Sequence, residues 1–366
     1  MGAHNFSRDE YYNLDMVGDE LKRLKGPIFI TGHTGFKGSW LSLLLNHLGI
    51  EHFGYSLEAE EDSLYKRANL ERVSRGAVGD IRDLENFSRV IKDVKPSVVI
   101  HLAAQPLVLK SYQEPLETFQ TNCMGTANVL KAAFDTASVE IVLVITTDKV
   151  YRNNNSGRRF VESDTLEGKD PYSSSKVAAE AVCAAWQHLS HTYGGPKVLV
   201  ARAGNVIGGG DFAENRLIPD IIRSVVSGKN LKIRNLLATR PWQHAIDPLV
   251  GYLRYVEFAS RGPDSIPSLN FGPLEPSLSV KRVLELARHH FQDKFQIDYE
   301  VNGRQLESQS LELDSTRALE NIAWRPQWSQ EDALTRTFLW WEKVLLDPTQ
   351  SREACFSDIE LILKSN

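Results

Sequence analysis

Between residues 26 and 205, short apolar runs alternate with longer amphipathic stretches. The runs lie at 27–30, 52–56, 97–102, 141–145 and 197–202, and a further strand end and turn reads at 78–83. Apolar runs of this length, bounded by turn residues, predict buried strands. The stretches between them predict helices, beginning near 39 and 84, then over 115–133 and from Tyr172 through 186. Regular alternation of strand and helix implies an α/β domain, a doubly wound parallel sheet with helices on both faces.

Beyond 205 the texture changes. Helical spacing recurs at 217–226, 247–258, 280–289 and 315–322, and short strands read at 231–234 and 295–301. Pro263, Pro267, Pro273 and Pro276 punctuate the stretch between. This predicts a smaller, mixed second domain over 206–345, with a segment near 238–262 returning to the first. Residues 1–25 read as an extension ahead of the fold, with Leu14, Val17, Leu21 and Leu24 at helical spacing. Residues 346–366 read as a charged tail whose 359–363 segment packs back. No internal repeat or low-complexity segment is present.

Composition narrows the class without changing the picture. Of 366 residues, 42% are hydrophobic and 24% charged, which is the balance of a soluble globular chain with a substantial core. The net charge of -5 argues against nucleic acid or an anionic membrane as the main partner. Cys123, Cys183 and Cys355 are scattered and odd in number, so neither a disulfide framework nor a structural metal site is expected. The N-terminus lacks an apolar leader segment and no run reaches membrane-spanning length, so a cytoplasmic protein is the expectation.

The first candidate chemistry follows the first apolar run. Gly32-His-Thr-Gly35-Phe-Lys-Gly38 joins a strand to a helix, which is the context of a dinucleotide site. Gly32 permits the tight turn, Gly35 lets backbone N–H groups approach a pyrophosphate, and Gly38 allows helix and strand to pack closely. Thr34, Phe36 and Lys37 lie within the same loop; Lys37 reads either as facing a phosphate or as solvated. Asp80 and Ile81 read either as flanking an adenine or as a helix cap. Ala103, Ala104 and Gln105 end the fourth strand, with small residues that let a cofactor lie against backbone. Asn122 is a mid-helix amide of the kind that makes a buried polar contact. His101 reads as a core histidine. Where a ribose-binding acid is common, Ser56 and Leu57 stand instead, and this position leaves NAD and NADP both open.

A second group gathers around the fifth strand. Tyr172 and Lys176 share a helix face, and an ammonium beside a phenol favours phenolate, a usable base near neutral pH. The Thr147 hydroxyl at a strand end can complete that trio. Asp148 and Lys149 follow at once; in isolation such residues are a solvated turn pair. Arg216, Arg234, Arg240 and Arg304 sit in loops or at strand ends, suited to phosphate capture.

In this order, these segments resemble the extended short-chain dehydrogenase/reductases of the NAD-dependent epimerase/dehydratase family, over nearly the whole chain after residue 26. The segments Gly32 to Leu41, Thr146-Thr-Asp-Lys-Val-Tyr151, Arg202-Ala-Gly-Asn205 through Asp211, and Ala238-Thr-Arg-Pro-Trp-Gln-His244 are similar to the nucleotide-sugar 4,6-dehydratases, on their CDP-glucose side. The resemblance implies a Rossmann-type domain over 26–205, a substrate-binding second domain, retained NAD and CDP-glucose as substrate. It assigns Tyr172 to the proton of the sugar 4-hydroxyl, Lys176 to the Tyr pKa and the nicotinamide ribose, and Thr147 to the 4-oxygen. Asp148 becomes the acid that protonates the leaving 6-hydroxyl and Lys149 the base at C5, where relatives acting on dTDP-glucose carry Asp-Glu. Arg202, Asn205 and Arg240 become substrate anchors by family position. A homodimer through 115–133 and 173–190, and a deoxysugar for a surface polysaccharide, are implied likewise. An NDP-sugar 4-epimerase needs the same Tyr and Lys but no elimination acid and base. A dehydratase for another NDP-hexose and a non-catalytic cofactor-sensing protein are further alternatives.

Overall fold

The computed structural model describes residues 17–155, 157–233, 235–262, 266–292, 294–299 and 311–364. The first half runs β1 (Ile28–Thr31), α1 (Phe36–His47), β2 (His52–Ser56), α2 (Leu64–Arg67), β3 (Arg75–Val78), α3 (Leu84–Val94) and β4 (Val98–His101). Next come α4 (Val108–Gln113), α5 (Pro115–Phe119), a π-helical turn (Gln120–Met124), α6 (Gly125–Phe134), β5 (Ile141–Thr147), α7 (Pro171–Tyr193) and β6 (Lys197–Ala203). The second half runs β7 (Val206–Ile207), α8 (Leu217–Ser227), β8 (Leu231–Ile233), β9 (Thr239–Arg240), β10 (Gln243–His244), α9 (Ile246–Ser260) and β11 (Ser268–Phe271). It closes with β12 (Leu278–Ser279), α10 (Val280–His290), β13 (Ile297–Tyr299), α11 (Thr316–Ile322), α12 (Gln330–Leu346) and α13 (Ser351–Lys364).

Seven strands form one parallel sheet in the order β11-β6-β5-β4-β1-β2-β3. Alternate residues of each strand face opposite sides of a sheet, and they feed two separate cores. Ile28, Ile30, Ile100, Leu143 and Ile145 face a core shared with α1, α9 and α13. Phe29, Val99, Val142 and Val144 face a second core under α3, α6 and α7. Both sides of the central strands are covered, so β1, β4 and β5 read as continuous apolar runs. The strand order reverses between β1 and β4, which opens the crevice where such sheets bind ligands.

Several expectations need correction. The seventh strand, β11, lies among the prolines, and its Asn270 is fully buried. The returning segment is therefore longer than 238–262: α9 packs against β5 and β6, and β11 extends the sheet beside β6. The helix expected over 115–133 is present as α5, the π turn holding Asn122 and α6, which run on continuously from Pro115 to Phe134. The C-terminal segment packs back over more than the expected 359–363, because α13 also places Cys355 with Ile359 and Ile362 in the core against α1 and α12. Leu14 and Arg304 lie outside the described residues, as does Arg234, while 295–301 is described only to 299.

Val17 and Leu21 are buried in the main core and so belong to the fold. The Gly18 N–H donates to Oε1 of Glu257 on α9 (2.7 Å). Burial pushes the Glu257 carboxyl up from 4.5 to about 7. The folded form then holds a proton that the unfolded form releases between those values. Its contribution to stability is full below the unfolded value and is lost as pH rises through about 7. Glu257→Gln does not titrate. Its melting temperature relative to the parent is expected to rise as pH goes from about 5 to about 8. A pH-independent difference in thermal melts would refute this.

Candidate active site

At the carboxyl end of β1 the chain turns at Gly32, where φ is +75°. A Cβ there would stand 2.7 Å from the Ala103 N, and one at Gly38 would stand 2.1 Å from the Gly32 O. Both glycines let the loop run against β4 and α1. Gly35 is exposed at the N-terminus of α1, where only the Gly32 O (3.3 Å) would meet an added Cβ. That open, N–H-rich helix end beside the strand-order reversal fits a dinucleotide pyrophosphate. The Thr34 hydroxyl ties this loop to β2 through Ser56 Oγ (2.7 Å). Phe36 is half-buried and packs toward Gly208.

The floor of the crevice is braced from behind. His101 is buried between the Thr31 (2.7 Å) and Thr126 (3.0 Å) hydroxyls, and burial pushes it down to about 3, so it stays neutral. Asn122 accepts from the Gln105 N–H (2.8 Å) and donates to the Gln105 O (3.0 Å) and Ser175 Oγ (2.9 Å). The Gln105 side chain is itself held by Leu107 and Thr118. These two amides therefore shape the Ala103–Gln105 loop. Asp80 is paired with Arg82 (2.6 Å), while Asp83 caps α3 by accepting from the Asn86 N–H (3.0 Å). Ile81 is buried in the second core, under Gly125.

Helix α7 starts at Pro171 with Asp170 as its cap. Asp170 accepts from the Ser173 N–H (2.9 Å), and Ser173 Oγ accepts from the Asp170 N–H (3.1 Å). Such a cap is worth ~1 kcal/mol. It fixes Tyr172 in the first turn, where the Ser111 hydroxyl also holds the Tyr172 N–H (3.1 Å). One turn on, Lys176 is buried and donates to the Ile145 O (3.2 Å).

Strand β5 delivers the other half. Thr147 ends the strand, and the three residues Asp148–Val150 form a 3-10 turn. Thr147 Oγ1 donates to Asp148 Oδ1 (2.9 Å). Lys149 Nζ donates to Asp148 Oδ1 (3.2 Å) and to Asn205 Oδ1 (3.1 Å). Asp148 is 1% exposed, with Gly204 closing over its other oxygen. Asn205, expected as a substrate anchor, is thus the residue that aims Lys149.

Electrostatics join the halves. Burial pushes the Tyr172 phenol up, and the Lys149 ammonium, the Thr147 hydroxyl and the Arg216 guanidinium oppose that shift. Of the charges that oppose the shift, that of Lys149 is the largest. Burial lowers Lys176 to about 8. Lys37 donates to the Tyr252 hydroxyl (3.3 Å), and burial, with Lys176 and Arg216 nearby, holds it down to about 7. The solvated reading of Lys37 is corrected, because it faces the same crevice. Arg216 is paired with Asp211 (2.9 Å). Lys176, Lys149, Arg216 and Asp148 all act on Lys37, so with Asp211 on Arg216 four basic side chains meet two buried carboxylates, and an acidic chain carries a locally cationic site suited to anionic phosphates.

Two arginine expectations change. Arg202 is 5% exposed and spends its guanidinium on Glu180, Tyr151 and the Glu162 carbonyl, so it is no substrate anchor. Arg240 lies half-buried in the β9–β12 ladder and donates to the Thr239 O (2.8 Å). Among the described residues, no cluster of His, Cys, Asp or Glu could hold a metal ion, and no helix is long and apolar enough to cross a membrane. Sequence reading missed Glu180. The signal was there, since Tyr172, Lys176 and Glu180 follow at four-residue steps on one helix face.

A strand-order crevice with a glycine turn, and a Tyr/Lys helix facing a Thr-bearing strand end, define a class of nucleotide-dependent enzyme. Residues 28–294 match the model of the NAD dependent epimerase/dehydratase family, and the chain belongs to that family. It is 38% identical over 321 residues to the CDP-glucose 4,6-dehydratase of Salmonella typhimurium, covering 86% of this chain and 89% of that enzyme. It is 26% identical over 328 residues to the dTDP-D-glucose 4,6-dehydratase of Homo sapiens, covering 86% and 90%. The solved UDP-glucose 4-epimerase of Thermotoga maritima superposes with a TM-score of 0.77 at 22% identity, over 87% of this chain and 99% of that one. A dTDP-glucose 4,6-dehydratase of Streptomyces venezuelae with NAD bound gives 0.75 at 24%, over 88% and 99%. At such identities these structures speak for the fold.

Proposed function

We propose that the chain is a CDP-glucose 4,6-dehydratase, converting CDP-glucose to CDP-4-dehydro-6-deoxyglucose and water. The observation that carries this is the ion pair of the buried Asp148 with the half-buried Lys149, in hydrogen-bond continuity with Thr147 beside Tyr172. Epimerisation needs a base at the 4-hydroxyl but no acid and base for elimination. The similarity to the Salmonella enzyme supports the nucleotide.

Gly32, Thr34, Gly35, Phe36, Lys37, the Ala103–Ala104 backbone and Lys176 would hold NAD, which supplies the hydride acceptor for C4 and the hydride donor for C6. Tyr172 takes the proton of the 4-hydroxyl as that carbon becomes a ketone. The ketone acidifies C5–H, and Lys149 removes that proton. The C6–O bond breaks, and the departing hydroxide takes the Asp148 proton to leave as water. The proton held on Lys149 returns to C5 as C6 is reduced, and the proton that Tyr172 took from the 4-hydroxyl passes through the Thr147 hydroxyl to Asp148, which restores the pair. Asp148 and Lys149 share one proton across their 3.2 Å contact. Moving it from Lys149 to Asp148 turns the resting ion pair into the neutral acid and amine that elimination requires. Arg216 and Arg240 contribute charge for the substrate diphosphate.

The test is incubation with CDP-, dTDP-, UDP- and GDP-glucose, read by mass spectrometry. Loss of water with CDP-glucose as preferred substrate is expected; a product isobaric with its substrate would mark an epimerase and contradict the reading.

The proposal extends to assembly as a homodimer in the cytoplasm, supplying deoxysugar for a surface polysaccharide. Helices α5 and α6 pack beside α7, and large apolar side chains on these elements and the π turn stand in solvent, with Leu116 79% and Met124 57% exposed and Phe119 and Leu189 exposed as well. Burying such a patch against a second copy removes it from water. Leu116→Glu with Met124→Glu is expected to give a monomer by light scattering at micromolar concentration. An unchanged mass would contradict the dimer through this face.

A further inference from the structure

The proton-transfer groups of the two half-reactions stand on different elements. Tyr172 and Lys176 belong to α7, while Asp148 and Lys149 belong to the short turn after β5. A three-residue 3-10 turn has little stability of its own, so something must hold it against the helix. A buried polar network does so. Glu180, 6% exposed, extends the Tyr172–Lys176 face by one turn. Its Oε1 accepts from Thr146 Oγ1 (2.7 Å), two residues before Asp148. Arg202 Nε donates to both Glu180 oxygens (2.8 and 3.0 Å). Arg202 Nη1 donates to the Tyr151 hydroxyl (2.8 Å), two residues after Lys149, and to the Glu162 O (3.0 Å).

The network continues outward. The Tyr151 hydroxyl donates to Asn270 Oδ1 (2.7 Å), and its ring stacks on Phe160 at 5.1 Å and 5°. Asn270 Nδ2 donates to the carbonyls of Phe160 (2.9 Å) and Asp314 (3.1 Å), and its N–H donates to Glu162 Oε1 (2.8 Å). The Asp148–Lys149 turn is thereby gripped on both sides, and both grips lead to one carboxylate on the helix that carries Tyr172. In register, Thr146 pairs with Arg202 across β5 and β6, so the sheet itself brings the two grips together.

We propose that the Glu180–Arg202 pair is a positioning device, fixing the elimination pair Asp148–Lys149 relative to Tyr172 so that one bound sugar meets both. It rests on the dehydratase reading. Stability alone gives little reason for such a pair, since an apolar pair of similar volume commonly does as well. Geometry does give a reason: a misplacement of about 1 Å at a reacting group costs on the order of a hundredfold in rate.

The test replaces both partners, Glu180→Leu with Arg202→Met, which leaves no buried charge unpaired. The melting temperature, cofactor binding and KM for CDP-glucose are expected to stay near the parent values. Turnover to the 6-deoxy ketone is expected to fall about a hundredfold. The fall should sit in elimination, so mass spectrometry finds oxidised sugar that has not lost water. Glu180→Gln keeps an acceptor oxygen for Thr146 and Arg202 and is expected to restore much of the product ratio. If the double variant does not fold, Glu180→Gln is read alone for partial accumulation of the same ketone. Parent-like turnover in the double variant would overturn the proposal, as would an equal loss in both half-reactions without ketone. The unmodified enzyme run in parallel separates the two claims. If it yields no 6-deoxy ketone, the dehydratase reading fails and this proposal fails with it.

Discussion

Lys149→Ala is expected to stop the reaction at the ketone. The side chain contributes twice, and the two contributions separate. As the amine facing C5 it removes the proton that makes elimination possible, and losing a general base costs typically 10²–10⁴-fold, so dehydration should fall by about that factor. As a cation it is also the leading charge opposing the upward shift of Tyr172. Without it the phenol loses its proton only at higher pH, so residual oxidation at C4 should move its pH profile to the alkaline side. Quenched-reaction mass spectrometry would show oxidised sugar retaining its 6-hydroxyl. Normal formation of the 6-deoxy ketone by this variant would remove Lys149 from the mechanism.

Tyr172→Phe is expected to abolish both half-reactions, because no ketone forms to acidify C5. The loss should be about 10²–10⁴-fold in turnover. The fold should be little affected, since the first turn of α7 is held by backbone and cap contacts from Asp170 and Ser111 that the substitution leaves in place. Cofactor affinity should stay within a few-fold, because the glycine turn and Lys176 are untouched. Turnover close to the parent rate would place the 4-hydroxyl base elsewhere. Loss of cofactor binding with turnover would show that the phenol serves mainly to build the pocket.

Much of this was readable from the residues, and the limits have physical causes. Strand β2 matches its expected bounds because a short buried run ends cleanly at turn residues. The glycine turn was readable because backbone contact leaves no alternative to glycine at Gly32 and Gly38. Strand β11 was hidden because its four residues lie between prolines and carry Asn270, whose amide is buried for the Tyr151 network. Arg202 was recognised as important yet misread. A guanidinium at a strand end suits a diphosphate as well as a buried carboxylate, and only tertiary structure brings in Glu180. For Lys37 the choice between the two readings was not legible, since nothing local shows that α9 folds over it to place Tyr252 against its ammonium. The hydrogen bond between Asn122 and the Gln105 backbone was not legible, since residues 17 positions apart meet only in the folded chain. The N-terminal residues join the core through Val17 and Leu21, whose spacing was visible, and through the Gly18 N–H to Glu257 on α9, which was not.

The central claim is that one active site oxidises C4, eliminates water across C5 and C6, and returns the same hydride to C6. The most direct measurement uses CDP-glucose carrying deuterium at C4 and locates the label in the product by NMR. The account predicts deuterium at C6 of a 4-keto-6-deoxy sugar, with none lost to solvent. Label still at C4 of an unchanged or epimerised hexose, or label washed out into water, would contradict it.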